Sequence, residues 1–146
     1  MRESEIKQNI LSLSFGQMES AMKHIVERHI TISDADLQKR ISNGKRIATK
    51  FDIQKNEIIN CMIEAIQNEE YDTPACITEW LEDVSDNGDF YVYKDFNYVV
   101  GHGYFHDRWH DWKKGPLECS AVFVVLRKYN TYFQVITAFP YITKRI

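Results

Sequence analysis

The chain has 146 residues, 44% of them hydrophobic and 27% charged, enough for one ordinary core and too few for a second complete domain. Its net charge of −3 conceals a division: residues 1–50 carry 9 basic and 6 acidic groups, 51–90 carry 1 and 11, and 91–146 carry 8 and 4. No apolar run approaches the roughly 18 residues of a membrane-spanning helix, and MRESEIKQ at the start is too polar for a signal peptide, so export is expected to depend on sequence outside this chain.

In chain order, Met18, Met22, Ile25 and His29 recur at the spacing of one helix face, while Glu19, Lys23, Glu27 and Arg28 take the other. The pattern predicts an amphipathic helix with a histidine on its apolar side near the C-terminal end. Ser33 and Asp36 form a capping pattern that opens a short second helix through Leu37, Arg40 and Ile41, ended by Asn43-Gly44. Ile58, Ile59, Met62, Ile63 and Ile66 predict a third helix within 52–68. Thr73-Pro74 reads as an N-cap with proline at the first helical position, opening a fourth helix that buries Ile77, Trp80, Leu81 and Val84. After the turn at Asp86-Asn87-Gly88, aromatic and β-branched residues predict strands over 90–93, 98–105, 121–126 and 132–139, with 94–97 and 129–131 as hairpin connections. Helices first and strands second define an α+β domain spanning 1–146, with its helices packed on one face of an antiparallel sheet. Cys61, Cys76 and Cys119 match no zinc or redox spacing and are expected to be buried free thiols.

Several residues in this framework are suited to chemistry. His29 on an apolar face reads either as a hydrogen-bonded core histidine or as a proton-transfer group. Arg40, one turn further along the chain on the next helix, reads as a solvated helix residue or as the holder of an anion shared with His29. Period-2 alternation in the last strand places Phe133, Val135, Thr137, Phe139 and Tyr141 on one face. Thr137 is then one hydroxyl in an apolar row, set there by strand propensity or aimed at a phosphate oxygen.

The run VVGHGYFHDRWHDWKK over 99–114 holds His102, His106 and His110 at intervals of four, the spacing of a helical metal site. Gly101, Gly103 and the strand-like residues before them argue instead for a strand leading into a loop. In that loop Trp109 and Trp112 stand beside Arg108, Lys113 and Lys114, offering flat faces for bases and cations for phosphates, or else tryptophans that pin the loop to the core. There is no phosphate-binding glycine loop and no serine-hydrolase elbow, and Cys119 has no partner that marks it as a nucleophile.

Taken in order, Arg28-His29-Ile30, Ser33-Asp34-Ala35-Asp36-Leu37, Arg40-Ile41, Ala48-Thr49-Lys50-Phe51-Asp52, Trp80-Leu81, Val99-Val100-Gly101 and Ile136-Thr137-Ala138-Phe139-Pro140 resemble the bacterial RNase A-like toxin domain. This domain forms the C-terminal tip of CdiA contact-dependent inhibition proteins and other polymorphic toxins, and the resemblance spans about residues 24–140. The resemblance implies an RNase A-like α+β fold and an RNA-cleaving toxin that uses no metal or other cofactor. Its catalytic histidine, arginine and threonine would be His29, Arg40 and Thr137. The family pattern usually has a tyrosine two residues after the threonine; here that position is Phe139, and Tyr141 is the nearest hydroxyl on the same predicted face.

Cleavage by the RNA's own 2′-hydroxyl requires a base, an acid for the leaving 5′-oxygen, and donors for the phosphorane, and an imidazole with a pKa of roughly 6.5 is suited to the proton transfers. His102, His106 or a water is the expected second proton-transfer group. The resemblance further implies a cognate immunity protein, binding as a 1:1 heterodimer to an otherwise monomeric domain, with no stable membrane association. That partner would sit over the basic cleft or on the acidic middle. The toxin would be delivered as part of a larger effector and act in the cytoplasm of the target cell. The residues also admit a non-catalytic RNA- or protein-binding module, and a metal-dependent nuclease built on His102, His106 and His110.

Overall fold

Apolar periodicity, capping and turn chemistry account for most of the elements. The computed structural model describes residues 3–130 and 132–142. Helix α1 (Glu3–Leu11) precedes α2 (Phe15–His29), whose buried Met18, Met22 and Ile25 lie on the expected face. Helix α3 (Asp34–Ser42) starts where expected, with the Ser33 hydroxyl accepting from the Asp36 N–H at 3.2 Å. Strand β1 (Ile47–Phe51) follows, then α4 (Lys55–Ile66) and α5 (Thr73–Glu82). The second half comprises β2 (Phe90–Asp95), β3 (Gly101–Phe105), a single 3₁₀ turn (Trp112–Lys114), β4 (Leu117–Cys119), β5 (Ala121–Tyr129) and β6 (Tyr132–Tyr141). Thr131, in the expected hairpin connection at 129–131, lies outside the described residues.

The fold is α+β, but the strands form two antiparallel sheets instead of the expected one, ordered β1-β3-β4 and β2-β5-β6. Residues 94–97 are therefore no hairpin. Phe96 N–H bonds the Ser120 carbonyl and Val100 N–H the Cys119 carbonyl, so the chain steps from one sheet to the other between β2 and β3. Asn97 makes the step in a left-handed conformation, φ 60°. Two short strands and one helix carried too little pattern to be expected: α1, with only Ile6 and Ile10 buried, β1 and β4. The N-cap of α5 is Asp72, not Thr73, and the helix ends at Glu82, which leaves Val84 91% exposed instead of buried. Cys61 and Cys119 are buried and free as expected, whereas Cys76 is exposed on α5.

The principal core joins α1, α2, α4 and α5 to one face of β2-β5-β6 through Val92, Val124, Leu126, Phe133 and Ala138. A smaller cluster of Ile32, Leu37, Ile41, Ala48 and Tyr104 holds α3 on the other sheet.

One irregularity decides where Thr137 points. Val125 pairs with Thr137 but Leu126 pairs with Val135, so Ile136 is a bulge. Phe133 and Val135 face the core with Ala138, while Thr137, Phe139 and Tyr141 are turned to the opposite face, breaking the single alternating row expected from the sequence.

Candidate active site

His29, Arg40 and Thr137 come from α2, α3 and β6 and line one cleft of about 300 Å³. The remaining walls include His24, Arg28, Lys45, Thr49 and Phe139. The short α2–α3 connection folds back so that an Arg40 Nη1 donates to the Arg28 carbonyl at 3.4 Å. Lys50 Nζ donates to the Ile32 carbonyl at 2.7 Å and pins the same connection to β1.

The His29 ring is oriented by its Nδ1, 3.2 Å from the Thr49 carbonyl of β1. A carbonyl only accepts, so Nδ1 carries the proton and the neutral ring keeps its Nε2 lone pair. Burial pushes the imidazole pKa down to about 4; the Thr49 hydrogen bond opposes this, while Arg40, Arg28 and His24 reinforce it. Position at a helix C-terminus favours an imidazolium, but here desolvation outweighs it. His29 is consequently a neutral base at neutral pH.

Thr137 Oγ1 is enclosed and has no hydrogen-bond partner among the described residues. Leaving a buried hydroxyl unpaired typically costs about 1–3 kcal/mol, a cost that an oxygen of a bound anion removes. Phe139 packs at a ring-centroid distance of 6.0 Å from His29, tilted by 33°. At the position where a tyrosine would offer a hydroxyl, it offers an apolar wall.

The other candidates are divided among separate surroundings. His102 is clamped by Asp52 Oδ2 at 2.7 Å from Nδ1 and by Asp34 Oδ1 at 2.9 Å from Nε2. It does not line the His29 cleft. Burial lowers its pKa, but the bonds and charges of Asp52 and Asp34 outweigh that and raise it overall; the bond from His102 in turn lowers the pKa of Asp34. Both ring nitrogens are engaged, and the imidazolium ties the start of α3 and the end of β1 to β3.

His106, Arg108, Trp109 and Tyr141 line a second cleft of about 740 Å³, which shares Lys45 and Ile47 with the first. Trp109 is 68% exposed, with the Arg108 guanidinium 5.3 Å from its ring centroid. Trp112 packs against the α3 cluster and pins the loop, whereas Trp109 stands out from the core. Lys113 and Lys114 are exposed on the 3₁₀ turn, outside both clefts. His102, His106 and His110 do not converge, and among the described residues no group of three or more His, Cys, Asp or Glu is arranged to hold a metal ion. Burial pushes the Cys119 thiol up to about 12, far from nucleophilic.

Lys45, His24 and the Thr49 carbonyl were not foreseen from sequence. Asn43-Gly44-Lys45-Arg46 is a basic turn directly after the Arg40 helix, which is the one signal that could have marked Lys45. A backbone carbonyl leaves no trace in residue identity.

Neither a family model nor a curated protein matches the chain. A chain in the crystal structure of the CdiA-CT/CdiI complex from Y. kristensenii 33638 is similar in fold, with a TM-score of 0.62 and 18% identity, over 81% of this chain and 98% of that one.

Proposed function

We propose that the chain is a metal-independent ribonuclease toxin of interbacterial competition, cleaving RNA by 2′-hydroxyl transphosphorylation. The observation that carries this reading is the meeting of a neutral imidazole, a guanidinium and an unpaired buried hydroxyl in one cleft, from elements far apart in sequence. Similarity of fold to a chain of a CdiA-CT/CdiI complex supports the toxin setting and a cognate immunity protein as partner.

His29 Nε2 takes the 2′-OH proton, O2′ attacks phosphorus, and the 5′-oxygen leaves with a proton, giving a 2′,3′-cyclic phosphate and a 5′-hydroxyl. Arg40 and Thr137 stabilise the charge on the phosphorane, where loss of one preorganised donor commonly costs on the order of 10² to 10³ in rate. His106 and Tyr141 line the neighbouring cleft, but His24 shares the His29 cleft and is our choice for protonating the leaving oxygen. Arg108 and Trp109 bind RNA beyond the scissile phosphate, reached across Lys45. Delivery is as part of a larger effector, with action in the target-cell cytoplasm.

The test is incubation of purified protein with total tRNA in EDTA, followed by mapping of the ends. Cyclic phosphate ends, no cleavage of DNA, loss of activity in His29→Ala with unchanged circular dichroism, and a drop on the order of 10² in His24→Ala are expected. Retention of RNA without turnover would make the chain a binding module, and a requirement for a divalent ion would make it a metal nuclease.

A further inference from the structure

A row of aromatic rings leaves the cleft at His29 and crosses the sheet. His29 and Phe139 are 6.0 Å apart, Phe139 and Phe123 are stacked at 5.5 Å and 27°, and Phe123 and Tyr93 follow at 5.0 Å and 57°. The row is a consequence of register: Tyr93, Phe123 and Phe139 are directly paired across β2, β5 and β6. Their side chains project from the face opposite the helical core, which takes Val92, Val124 and Ala138 from the same strands. The neighbouring rung on that face is Tyr91, Val125 and Thr137, so the cleft hydroxyl lies two residues, about 7 Å of strand, from the aromatic row. The outer end is open to solvent, with Tyr91 59% and Tyr93 37% exposed.

We infer that this row is a stacking platform for unpaired bases of the RNA whose phosphate occupies the cleft; the inference rests on the ribonuclease reading. The division of chemistry favours a single-stranded nucleic acid as occupant. The cations Arg28, Arg40 and Lys45 are gathered at the cleft, where a phosphate would lie. The two rungs Tyr93-Phe123-Phe139 and Tyr91-Val125-Thr137 carry no charge. The next cation on that face, Arg127, is paired with Asp89, while Asp95 stands one rung beyond Tyr93. What these two rungs offer therefore suits the faces of bases and is indifferent to their sequence. The platform selects unpaired RNA, since a base within a duplex has no free face to present.

The experiment uses a fluorescent, fully 2′-O-methylated octanucleotide, which has no attacking hydroxyl and so reports binding without cleavage, beside the same backbone with abasic residues. Tyr93→Leu keeps an apolar side chain at an accessible position and removes the ring; Tyr93→Phe keeps the ring. Tyr93→Leu is expected to bind the octanucleotide about ten-fold more weakly. Tyr93→Phe binds like the wild type, and the abasic probe binds weakly to all three. Equal affinity of wild type and Tyr93→Leu for the octanucleotide overturns the platform, as does equal binding of the two probes by the wild type. Loss of affinity for the immunity protein alone would assign the row to that partner and overturn the proposal. If Tyr93-dependent binding is found but all-ribose RNA stays intact, the platform stands and the ribonuclease reading fails.

Discussion

At the scale of single residues, the depressed pKa of His29 has consequences for both activity and stability. With a folded value of about 4 against an ordinary 6.5, the base is deprotonated over the whole neutral range. Under the proposed function the acid limb of kcat/KM is therefore expected near pH 4, and a phosphate analogue bound in the cleft should raise the His29 titration seen by NMR. Stability follows from the sign of the shift: the unfolded chain takes up this proton first, so the contribution is whole above pH 6.5 and lost as pH falls towards 4. At about 1.4 kcal/mol per unit, the loss is on the order of 3 kcal/mol. His102 acts in the opposite sense, because its raised value stabilises below 6.5 and is lost as pH rises through the folded pKa. Urea unfolding of wild type and His29→Phe at pH 7 and 4.5 separates the two: the wild type should lose more stability on acidification, and parallel losses would contradict the assignment. The helical positions of His29 and Arg40 were legible because the first helix has an apolar period and the second a capping pattern. The Thr49 carbonyl that fixes the imidazole was not, because any residue supplies one.

At the scale of elements, the glycines around His102 explain how β3 fits. A Cβ at Gly103 would stand 2.6 Å from the Ala48 carbonyl and would also meet the Thr49 side chain, while one at Gly101 would lie 2.8 Å from Pro140 Cγ. Strands β1 and β3 pair at Thr49–Gly103 with no room for a side chain on that face, leaving His102 to face Asp34 and Asp52 on the other. Gly103→Ala is expected to lower stability by about 1–3 kcal/mol, read from the urea midpoint, as overpacking usually does. Under the proposed function it should also cut RNA cleavage more than the unfolded fraction accounts for, because the strain falls on the strand that orients His29. Unchanged cleavage would mean that β1 does not set the imidazole. Helix positions were legible because their signals are local. The pairing of β1 with β3, and of β2 with β5, was not, since partner choice lies in contacts distant along the chain. The bulge at Ile136 turned Thr137 to the cleft by breaking the alternation that first drew attention to it.

At the scale of the whole molecule, the division of charge becomes spatial. The cleft takes His24, Arg28, Arg40 and Lys45 from the basic first segment and Thr137 and Phe139 from the basic last one. None of the residues lining either the His29 or the Trp109 cleft comes from the acidic stretch 51–90, whose helices α4 and α5 pack into the opposite, core face of β2-β5-β6. Under the proposed function, an acidic immunity protein covering the two basic clefts would account for inhibition with complementary charge and a fast encounter. Reversal of Arg108 together with Lys113 and Lys114 to glutamate should slow association and weaken inhibition while leaving the His29 cleft intact. Inhibition indifferent to these changes would place the partner on the acidic face instead.

Strand β6 belongs to the main sheet, forms the seam with β1 and β3, and brings Thr137 and Phe139 to the cleft. Its partners across that seam are made earlier in the chain, β3 by about thirty residues and β1 by some ninety. Contacts so distant in sequence form late and slowly, because loop closure must precede the gain from pairing. A chain emerging N-terminus first, from a ribosome or through a membrane pore, has its histidine and arginine long before it has the strand that brings Thr137 and Phe139 to the cleft. Under the proposed function, completion of the fold is itself the step that arms the enzyme.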